Sequence, residues 1–571
     1  MRNIILGINC VYHESAACLI IDNKVVAAIE EERLSRVKHA KESKIDNPDE
    51  LPILAMNKCL EMGGISLEDV SLIGFSFKPE RRLENIPSED RFVPNNWGCE
   101  DGEKLFYDKL TQIPQKLQEM GFKGQFSFIE HAIAHCASAY YPSPFSDAAI
   151  LSIDGIGEFE STTLAYGHGK NIDVVQQIAY PNSIGFLWEK ISKFLGFSEY
   201  DACKVMSVAS FGNPLTFEEE FSKIISINDQ TIFELDNEVL CFRVEDYSKL
   251  EKLFNIKKRE TLDELEEVHK DIAAALQKWT TDIIVKVTDR LFEETKSENL
   301  CVAGGVALNC VANTIAFENS KFKNIFIQPA ANDAGTALGA ALKLNIEAEG
   351  NLEGLVLDNT FLGPSFTTEE IHNEMSKRNL VYSHVEDIEV KAAELIKAGN
   401  IIGWFQGAME FGPRALGNRS LLADPRNFHM IKKLNSIVKH REDHRPFCPS
   451  VLSEETENWF DIKKSTPVSE YMLMAYPALT NKKELIPAVV HVDGTSRIQA
   501  VNQKTNPKYH GLISEFYKLT GIPMVLNTSF NDREPIVCTP EDAIKTFLKS
   551  NIDYLVMGNF ILNKQDNLEK V

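Results

Sequence analysis

The chain has 571 residues, of which 44% are hydrophobic and 25% charged, so it is typical of soluble globular proteins and long enough for at least two domains. The net charge of -23 argues against a nucleic-acid-binding surface as the main function, because phosphate backbones need a basic footprint. The eleven cysteines include no Cys-x-x-Cys pair and no apolar segment is long enough to span a bilayer, so we predict a cytoplasmic protein without membrane or nucleic-acid partners.

Two stretches share a pattern of strand, turn, strand and strand. Residues 3–30 carry it first, with His13 in the first turn, and residues 148–178 carry it again. The repetition indicates a duplicated unit whose two halves would enclose a cleft. It resembles the RNase-H-like halves of the actin, sugar-kinase and Hsp70 (ASKHA) superfamily. A generic mixed α/β domain with repeated hairpins is the alternative.

Two histidines in an alanine-rich stretch lie four residues apart. This spacing places His131 and His135 on one helix face, where two imidazoles can hold one metal ion. Asp154 and Asp333 follow apolar runs at predicted junctions and complete a set of two imidazoles and two carboxylates. Such a set suits Fe(II), Mn(II) or Zn(II). Local packing or capping by the histidines is the alternative.

Two further features before residue 350 are typical of nucleotide sites. Gly304 and Gly305 separate a predicted strand from a helix and would let a phosphate or ribose approach the backbone. Lys204 lies in an otherwise apolar helix, where it could bind phosphate or simply extend towards solvent. The composition changes around residues 345–390, and we place the domain boundary between residues 1–360 and 361–571.

A basic window lies in the second domain. Residues 414–445 contain eight lysines and arginines against three acids, which inverts the charge of the whole chain. Arginines among glycine and proline turns would line a concave surface, and guanidinium groups bind phosphates bidentately. Asn527 and Ser529, at the end of a predicted strand, could orient a polar ligand. A solvated basic face is the alternative.

Several motifs occur in an order that resembles the O-carbamoyltransferase family of natural-product and nodulation enzymes, and the resemblance covers nearly the whole chain. They are residues 9–17, His131-x-x-x-His135, Asp154-Gly155-x-Gly157-Glu158, Gly304-Gly305-Val306-x-Leu308-Asn309, Phe411-Gly412-Pro413-Arg414-Ala415-Leu416-Gly417-Asn418-Arg419-Ser420 and Asn527-Thr528-Ser529-Phe530-Asn531.

The resemblance implies two domains with different chemistry. The first would be similar to the threonylcarbamoyl-transferring protein of tRNA modification, with a metal, iron by analogy, on the histidine and aspartate set. The second would be a YrdC-like α+β domain that makes carbamoyladenylate from carbamoyl phosphate and ATP with Mg²⁺. The acceptor would be a small-molecule hydroxyl.

The resemblance also implies roles for individual residues. His13 would be the catalytic base for the acceptor and His39 an acceptor-side residue, while Arg414, Lys439 and Arg445 would act in adenylate formation. The residues expected to bind the nucleotide or carbamoyl phosphate are Lys204, Gly304, Gly305, Asn309, Arg414, Arg419, Lys439, Arg445, Arg497, Asn527 and Ser529.

Three other functions remain as alternatives. A tRNA threonylcarbamoyl-type transferase shares the first domain, but the acidic charge disfavours it. A hydrogenase-maturation carbamoyl donor would need Cys-x-x-Cys zinc segments. An actin-like nucleotide switch would need neither the metal set nor the basic domain. The acceptor is open among aminoglycoside, macrolide, β-lactam, lipo-oligosaccharide and guanidinium-toxin hydroxyls, and a monomer and a homodimer are equally open.

Overall fold

A computed structural model describes residues 3–85, 96–442 and 445–570, so Asp443 and His444 of the basic window lie outside the described residues. The chain divides into two compact units, Met1–Glu31 with His39–Leu357 and Glu32–Lys38 with Asp358–Val571. The division between residues 357 and 358 lies near residue 360, and the functional domains 1–360 and 361–571 stay a prediction. The grouping of residues 32–38 with the second unit was not predicted. Within the part of the chain that is described, no helix has both the length and the apolar character needed to cross a membrane.

The first unit contains two five-stranded sheets and a small hairpin. The first sheet is built from β1 (Ile4–Asn9), β2 (Ala16–Ile21), β3 (Lys24–Glu30), β4 (Leu72–Phe75) and β5 (Gln125–Phe128). The second sheet is built from β6 (Asp147–Ile153), β7 (Glu160–His168), β8 (Asn171–Ala179), β11 (Asn299–Ala303) and β12 (Asn324–Ile327), and the hairpin is β9 (Ile225–Asn228) with β10 (Ile232–Leu235).

The two sheets have the same topology. The strand order is β3-β2-β1-β4-β5 in the first sheet and β8-β7-β6-β11-β12 in the second. In each sheet the first three strands form an antiparallel meander and the last two are parallel to the first. The predicted duplication is therefore confirmed, and with it the actin/Hsp70-like α/β fold class. The central strand β1 is buried along its whole length and β6 at every residue after Asp147, as expected for sheets covered on both faces.

Helices connect and cover the sheets. In the first part of the chain they are α1 (Glu31–Ser35), α2 (Ile53–Gly63), α3 (Pro79–Asn85), α4 (Glu100–Leu110), α5 (Ile113–Glu119), α6 (His131–Tyr140), α7 (Ile184–Phe194), α8 (Ala202–Ala209), α9 (Glu218–Ser222), α10 (Asn237–Leu240), α11 (Ser248–Phe254), α12 (Glu267–Thr295), α13 (Cys310–Asn319) and α14 (Ala334–Glu349). After residue 358 they are α15 (Thr368–Lys377), α16 (Ile388–Lys397), α17 (His429–Lys432), α18 (Thr456–Trp459), α19 (Pro507–Thr520) and α20 (Pro540–Lys549).

Small residues let α14 pack closely against α6 and β1. A Cβ atom on Gly339 would lie 1.7 Å from the carbonyl oxygen of Ala134, and one on Gly7 would lie 1.9 Å from that of Ala337. Either contact is far inside van der Waals distance, so both positions require glycine. This close packing brings the beginning of α14, where Asp333 lies, next to the histidines of α6.

The second unit is α+β and is built around an eight-stranded mixed sheet. Its strand order is β13-β22-β21-β14-β15-β20-β16-β19, and β17 pairs with β18 in a separate ribbon. The strands are β13 (Ser383–His384), β14 (Ile402–Phe405), β15 (Arg419–Ala423), β16 (Cys448–Leu452), β17 (Ala475–Pro477), β18 (Thr495–Arg497), β19 (Gln499–Val501), β20 (Met524–Ser529), β21 (Tyr554–Met557) and β22 (Phe560–Asn563). The likeness of this unit to YrdC domains stays a prediction.

Candidate functional site

Four potential metal ligands converge in the first unit. His131 and His135 lie one turn apart on α6, Asp154 follows β6, and Asp333 immediately precedes α14. The Nε2 atom of His131 lies 3.3 Å from Asp154 Oδ2 and 3.5 Å from Asp333 Oδ1. The Nε2 atom of His135 lies 3.4 Å and 3.5 Å from the same two oxygens. The structure thus brings together all four residues that the sequence proposed as ligands.

The surroundings of this quartet fit a divalent cation. Both histidines are buried, and the Nδ1 atom of His131 lies 3.1 Å from the carbonyl oxygen of Ser76. That contact places the proton on Nδ1 and leaves the lone pair of Nε2 for a ligand, as in most metal-binding histidines. Among the described residues, Nε2 of His135 has no hydrogen-bond partner of acceptable geometry. A cation between the four residues would coordinate this nitrogen.

The electrostatics of the quartet lead to the same conclusion. Burial lowers the pKa of His131 and of His135, but the nearby carboxylates of Asp154 and Asp333 outweigh burial and raise both pKa values above the ordinary range. Burial raises the pKa of Asp154, and the two histidines outweigh it and hold that pKa well below its usual value. A divalent cation between two neutral imidazoles and two carboxylates gives a site without net charge.

A polar network supports the ligands from behind. The Ser76 hydroxyl donates to Asn9 Oδ1 at 2.9 Å, and the Thr336 hydroxyl donates to Ser76 Oγ at 2.9 Å. All three residues are fully buried, and they link β1, the end of β4 and the first turn of α14. Sequence reasoning missed Ser76 and Thr336. The only available signal was that each polar residue lies at the end of an apolar strand or in an apolar helix.

Glu158 positions the beginning of α6. Its carboxylate accepts hydrogen bonds from the backbone N–H of His131 at 2.9 and 3.1 Å and from that of Lys78 at 2.8 Å. The residue is completely buried, and burial together with the charge of Glu160 raises its pKa to about 7. A carboxylate at a helix N-terminus satisfies N–H groups that the helix leaves unpaired. Glu158 therefore fixes the backbone that carries the first histidine ligand.

Replacing Glu158 with glutamine is expected to weaken zinc binding at the quartet by roughly 10–100-fold, the usual cost of losing an outer-shell partner. The glutamine retains one acceptor oxygen but introduces an N–H₂ group facing two backbone donors. Competition with a chromophoric chelator measures the affinity. Glu68→Gln, which alters an exposed carboxylate paired with Lys123, is the matched control. An unchanged affinity in folded Glu158→Gln protein would contradict the positioning role.

The predicted nucleotide-binding residues of the first unit have other partners in the structure. Gly304 has φ +91°, and a Cβ there would lie 2.1 Å from the carbonyl oxygen of Ile153. The Gly305 N–H donates to Asp154 Oδ1 at 3.1 Å, so this turn orients a ligand of the quartet. Asn309 caps α13 through the N–H of Ala312 and exchanges amide hydrogen bonds with Gln277. Lys204 forms an ion pair with Asp201 at 2.8 Å.

His13 and His39 lie together on either side of a carboxylate that the sequence analysis did not single out. The Nδ1 atoms of His13 and His39 lie 3.3 and 3.4 Å from the two carboxylate oxygens of Glu14. Partial burial lowers the pKa of His13, but Glu14 outweighs it, and with the charges of Asp333 and Asp154 the pKa rises to about 10. An imidazole with that pKa is protonated at neutral pH and is a poor base.

In the second unit, several of the predicted cationic and polar residues gather around β20. Lys439 is buried and donates through Nζ to Ser529 Oγ at 3.3 Å and to Asn531 Oδ1 at 2.6 Å. Burial lowers its pKa well below the usual value, and the positive charges of Arg441 and Arg445 lower it further. Among the described residues its hydrogen bonds go to neutral oxygens. The charge of Asp532 acts on this pKa in the opposite direction, and an arriving phosphate would add further negative charge beside Lys439.

Asn527 and Arg497 extend this group. Asn527 lies on β20 and pairs with Cys448 on the neighbouring strand β16. Its side-chain amide donates a hydrogen bond at 3.1 Å to the carbonyl oxygen of Ala415, the residue after Arg414. The Nε of Arg497 lies 3.2 Å from the Cys448 sulfur. Residues far apart in sequence thus meet at one end of β16 and β20.

Arg419 differs from its neighbours. Its guanidinium is fully buried and donates to the carbonyl oxygens of Gln406 at 2.7 Å, Pro364 at 3.1 Å and Asn418 at 3.0 Å. The Phe405 ring packs against the guanidinium, with the ring centroid 3.7 Å from Cζ of Arg419. With its donors used by the backbone, Arg419 holds loops together, and contact with a phosphate would require these hydrogen bonds to break.

Sequence reasoning also missed Glu410. One oxygen of its buried carboxylate accepts the backbone N–H groups of Leu416, Asn418 and Arg419 at 2.7, 2.8 and 3.2 Å. Three converging N–H groups form a concave site for an anion, and here an internal carboxylate fills it. Glu410 therefore shapes the loop that presents Arg414.

Comparison with known proteins assigns the family. The family model of the carbamoyltransferase N-terminus matches residues 4–342, and that of the carbamoyltransferase C-terminus matches residues 393–564. The chain belongs to the carbamoyltransferase family. The quartet of His131, His135, Asp154 and Asp333 lies in the N-terminal match, as do His13 and His39. Lys439 and the other cations around β20 lie in the C-terminal match.

Individual relatives agree with this assignment. The carbamoyltransferase chain is 38% identical to an uncharacterized protein of Synechocystis over 98% of this chain and 96% of that one. It is 35% identical to nodulation protein NolNO of Sinorhizobium fredii over 98% and 80% of the two chains. It is 30% identical to the 3′-hydroxymethylcephem-O-carbamoyltransferase of Amycolatopsis lactamdurans over 63% and 64%. The predicted membership of the O-carbamoyltransferase family is confirmed.

Proposed function

We propose that this carbamoyltransferase makes carbamoyladenylate from ATP and carbamoyl phosphate and transfers the carbamoyl group to a hydroxyl of a small-molecule natural product. In the first step ATP, carbamoyl phosphate and one water give carbamoyladenylate, pyrophosphate and phosphate. In the second step the acceptor oxygen bonds to the carbamoyl carbon, the hydroxyl loses its proton, and AMP leaves. The activity that the name of the cephem relative describes, O-carbamoylation of a hydroxymethylcephem, agrees with this acceptor class.

The observation that carries the proposal is the separation of two kinds of site between the two units. The first unit holds two histidines and two carboxylates arranged for a divalent cation. The second holds buried or half-buried cations, and among the described residues the hydrogen bonds of buried Lys439 go to neutral oxygens of Ser529 and Asn531. Cations that face developing phosphate charge stabilise phosphoryl and adenylyl transfer without a covalent nucleophile.

The chain's own residues would have distinct tasks. Arg414, Lys439 and Arg445 would bind the phosphates, while Asn527 and Ser529 would orient the polar groups of the donor. The quartet would hold a divalent metal, with Fe(II) first and Mn(II) or Zn(II) as alternatives, and the bound metal would supply Lewis-acid chemistry. Ser76 and Glu158 would hold the histidines in place. We place the whole reaction in the cytoplasm.

Release of both anions by the purified protein tests the first step. We expect pyrophosphate and phosphate only when ATP and carbamoyl phosphate are both present. Turnover of ATP without carbamoyl phosphate would instead favour a nucleotide switch. Incubation with aminoglycoside, macrolide, β-lactam and lipo-oligosaccharide acceptors, followed by mass spectrometry, tests the second step. Modification of transfer RNA and of none of these acceptors would contradict the small-molecule assignment.

A further inference from the structure

A second cluster of potential metal ligands lies in the first unit, formed by His13, Glu14 and His39. Its ligand atoms all lie within 4.8 Å of one another. The loop after β1 supplies the first two residues, and the backbone N–H of Glu14 donates to the carbonyl oxygen of His39 at 3.2 Å, which ties the two segments together. The charges of Asp154 and Asp333 act on His13, so this cluster lies near the quartet.

The distances in this cluster differ from those of ordinary histidine–carboxylate ion pairs. Among the described residues, two such pairs are His168 with Asp173 at 2.7 Å and His510 with Glu454 at 3.0 Å. The contacts of His13 and His39 with Glu14 are 3.3 and 3.4 Å, which matches the 3.3–3.5 Å of the quartet.

These longer distances have a simple geometrical meaning. Ligands that each lie about 2.1 Å from a shared metal ion, at tetrahedral or octahedral angles, are separated by about 3.0–3.4 Å. Charge-assisted hydrogen bonds instead shorten the separation to about 2.7–2.9 Å. Each imidazole nitrogen therefore lies from its nearer Glu14 oxygen at the separation of two ligands that share a cation.

Hydrogen bonding and packing agree with this interpretation. Among the described residues, Nδ1 of His13 and Oε2 of Glu14 are inaccessible to solvent and have no hydrogen-bond partner of acceptable geometry. The ring of Tyr200 stacks on His39 with centroids 4.4 Å apart and meets the edge of His13 at 5.3 Å. Tyr200 therefore restrains both imidazoles, as the outer shell of a metal site does.

We propose that His13, Glu14 and His39 bind a second divalent cation. Two imidazoles and one carboxylate form a ligand set that suits Fe(II), Mn(II) or Zn(II) and leaves coordination positions open. The side chains of His13 and His39 are 36% and 28% exposed, so solvent reaches the outer edges of both imidazoles beside the cluster. The site would take a ligand with an oxygen donor.

The role of this cation rests on the proposed function. In carbamoyl transfer the oxygen ligand would be the acceptor hydroxyl, whose pKa falls on coordination so that its proton is released to solvent. Coordination through Nδ1 leaves the proton of His13 on Nε2. The cation would therefore replace His13 as the group that activates the acceptor.

Zinc stoichiometry tests the site directly. Full-length protein stripped of metal and titrated with Zn²⁺ is expected to bind two ions per chain, and Glu14→Gln one. His135→Ala is also expected to bind one ion, at the other site. The exposed His168→Ala variant is the matched control and should bind two. Retention of the quartet's zinc affinity by Glu14→Gln, within about threefold, would show that this variant is folded.

Several outcomes would overturn the proposal. Wild-type protein that binds one zinc ion, or Glu14→Gln that still binds two, would show that the cluster is only an ion pair. His39→Ala provides a second variant, and it too must lose one ion. The proposed function is tested separately from the second metal site. If the protein binds two zinc ions per chain but carbamoylates no acceptor, the second site is retained and the proposed reaction is refuted.

Discussion

Replacing His135 with alanine is expected to lower zinc affinity at the quartet, and carbamoyl transfer with it, by more than about 100-fold. Loss of an outer-shell partner alone costs roughly 10–100-fold, and His135 contributes a ligand atom itself. The Nε2 atom lies 3.4 and 3.5 Å from the two carboxylates, so its removal leaves Asp154 and Asp333 facing each other with one imidazole fewer. Chelator competition measures the affinity, and mass spectrometry of the carbamoylated acceptor measures the transfer.

The same variant separates the two steps of the reaction. Pyrophosphate release should continue in His135→Ala, because the residues proposed to form the adenylate lie in the other unit. His168→Ala, which removes an exposed histidine paired with Asp173, is the matched control and should change neither quantity. Wild-type rates of carbamoyl transfer in metal-depleted His135→Ala protein would contradict a role for the quartet.

Replacing Arg414 with alanine is expected to reduce pyrophosphate release by about 10²–10³-fold, the usual effect of removing one group that stabilises transition-state charge. The loop that presents Arg414 is held by Glu410, and the neighbouring carbonyl of Ala415 accepts a hydrogen bond from Asn527. The truncation therefore removes the cation and leaves these two contacts in place. A coupled pyrophosphate assay with saturating ATP and carbamoyl phosphate measures the effect.

Zinc binding provides the internal check on Arg414→Ala. The variant should bind zinc at the quartet as tightly as wild type, because the two sites lie in separate units. Arg378→Ala removes an arginine paired with Glu374 and Glu541 and should retain pyrophosphate release. If Arg414→Ala releases pyrophosphate at the wild-type rate, the cationic group does not form the adenylate.

Much of the architecture follows from local sequence. The repeated strand pattern of residues 3–30 and 148–178 predicted the two meanders, and the structure has them at β1–β3 and β6–β8. Alternation of apolar runs with glycine turns is a local signal, so it can be recognised in a single sequence. The spacing of His131 and His135 is equally local, because four residues make one helical turn.

Other features could not be read from the sequence because they depend on partners distant in the chain. Glu158 bonds to a backbone N–H 27 residues away, and Thr336 to a hydroxyl 260 residues away. Arg419 resembled a phosphate ligand in sequence, yet its donors meet carbonyls from three loops. No periodicity or motif specifies such pairings.

The sequence by itself determined the family, the duplicated fold class and the four residues of the quartet, because each depends on motifs or spacing along the chain. Only the tertiary structure decided how those residues are oriented and which additional groups act with them. The pairing of His13 and His39 around Glu14 arises from a contact between two loops, and the approach of Asp333 to α6 arises from Gly339 packing on Ala134. Distances of this kind depend on side-chain volume and backbone hydrogen bonds between separate segments, which one sequence does not encode in any local pattern.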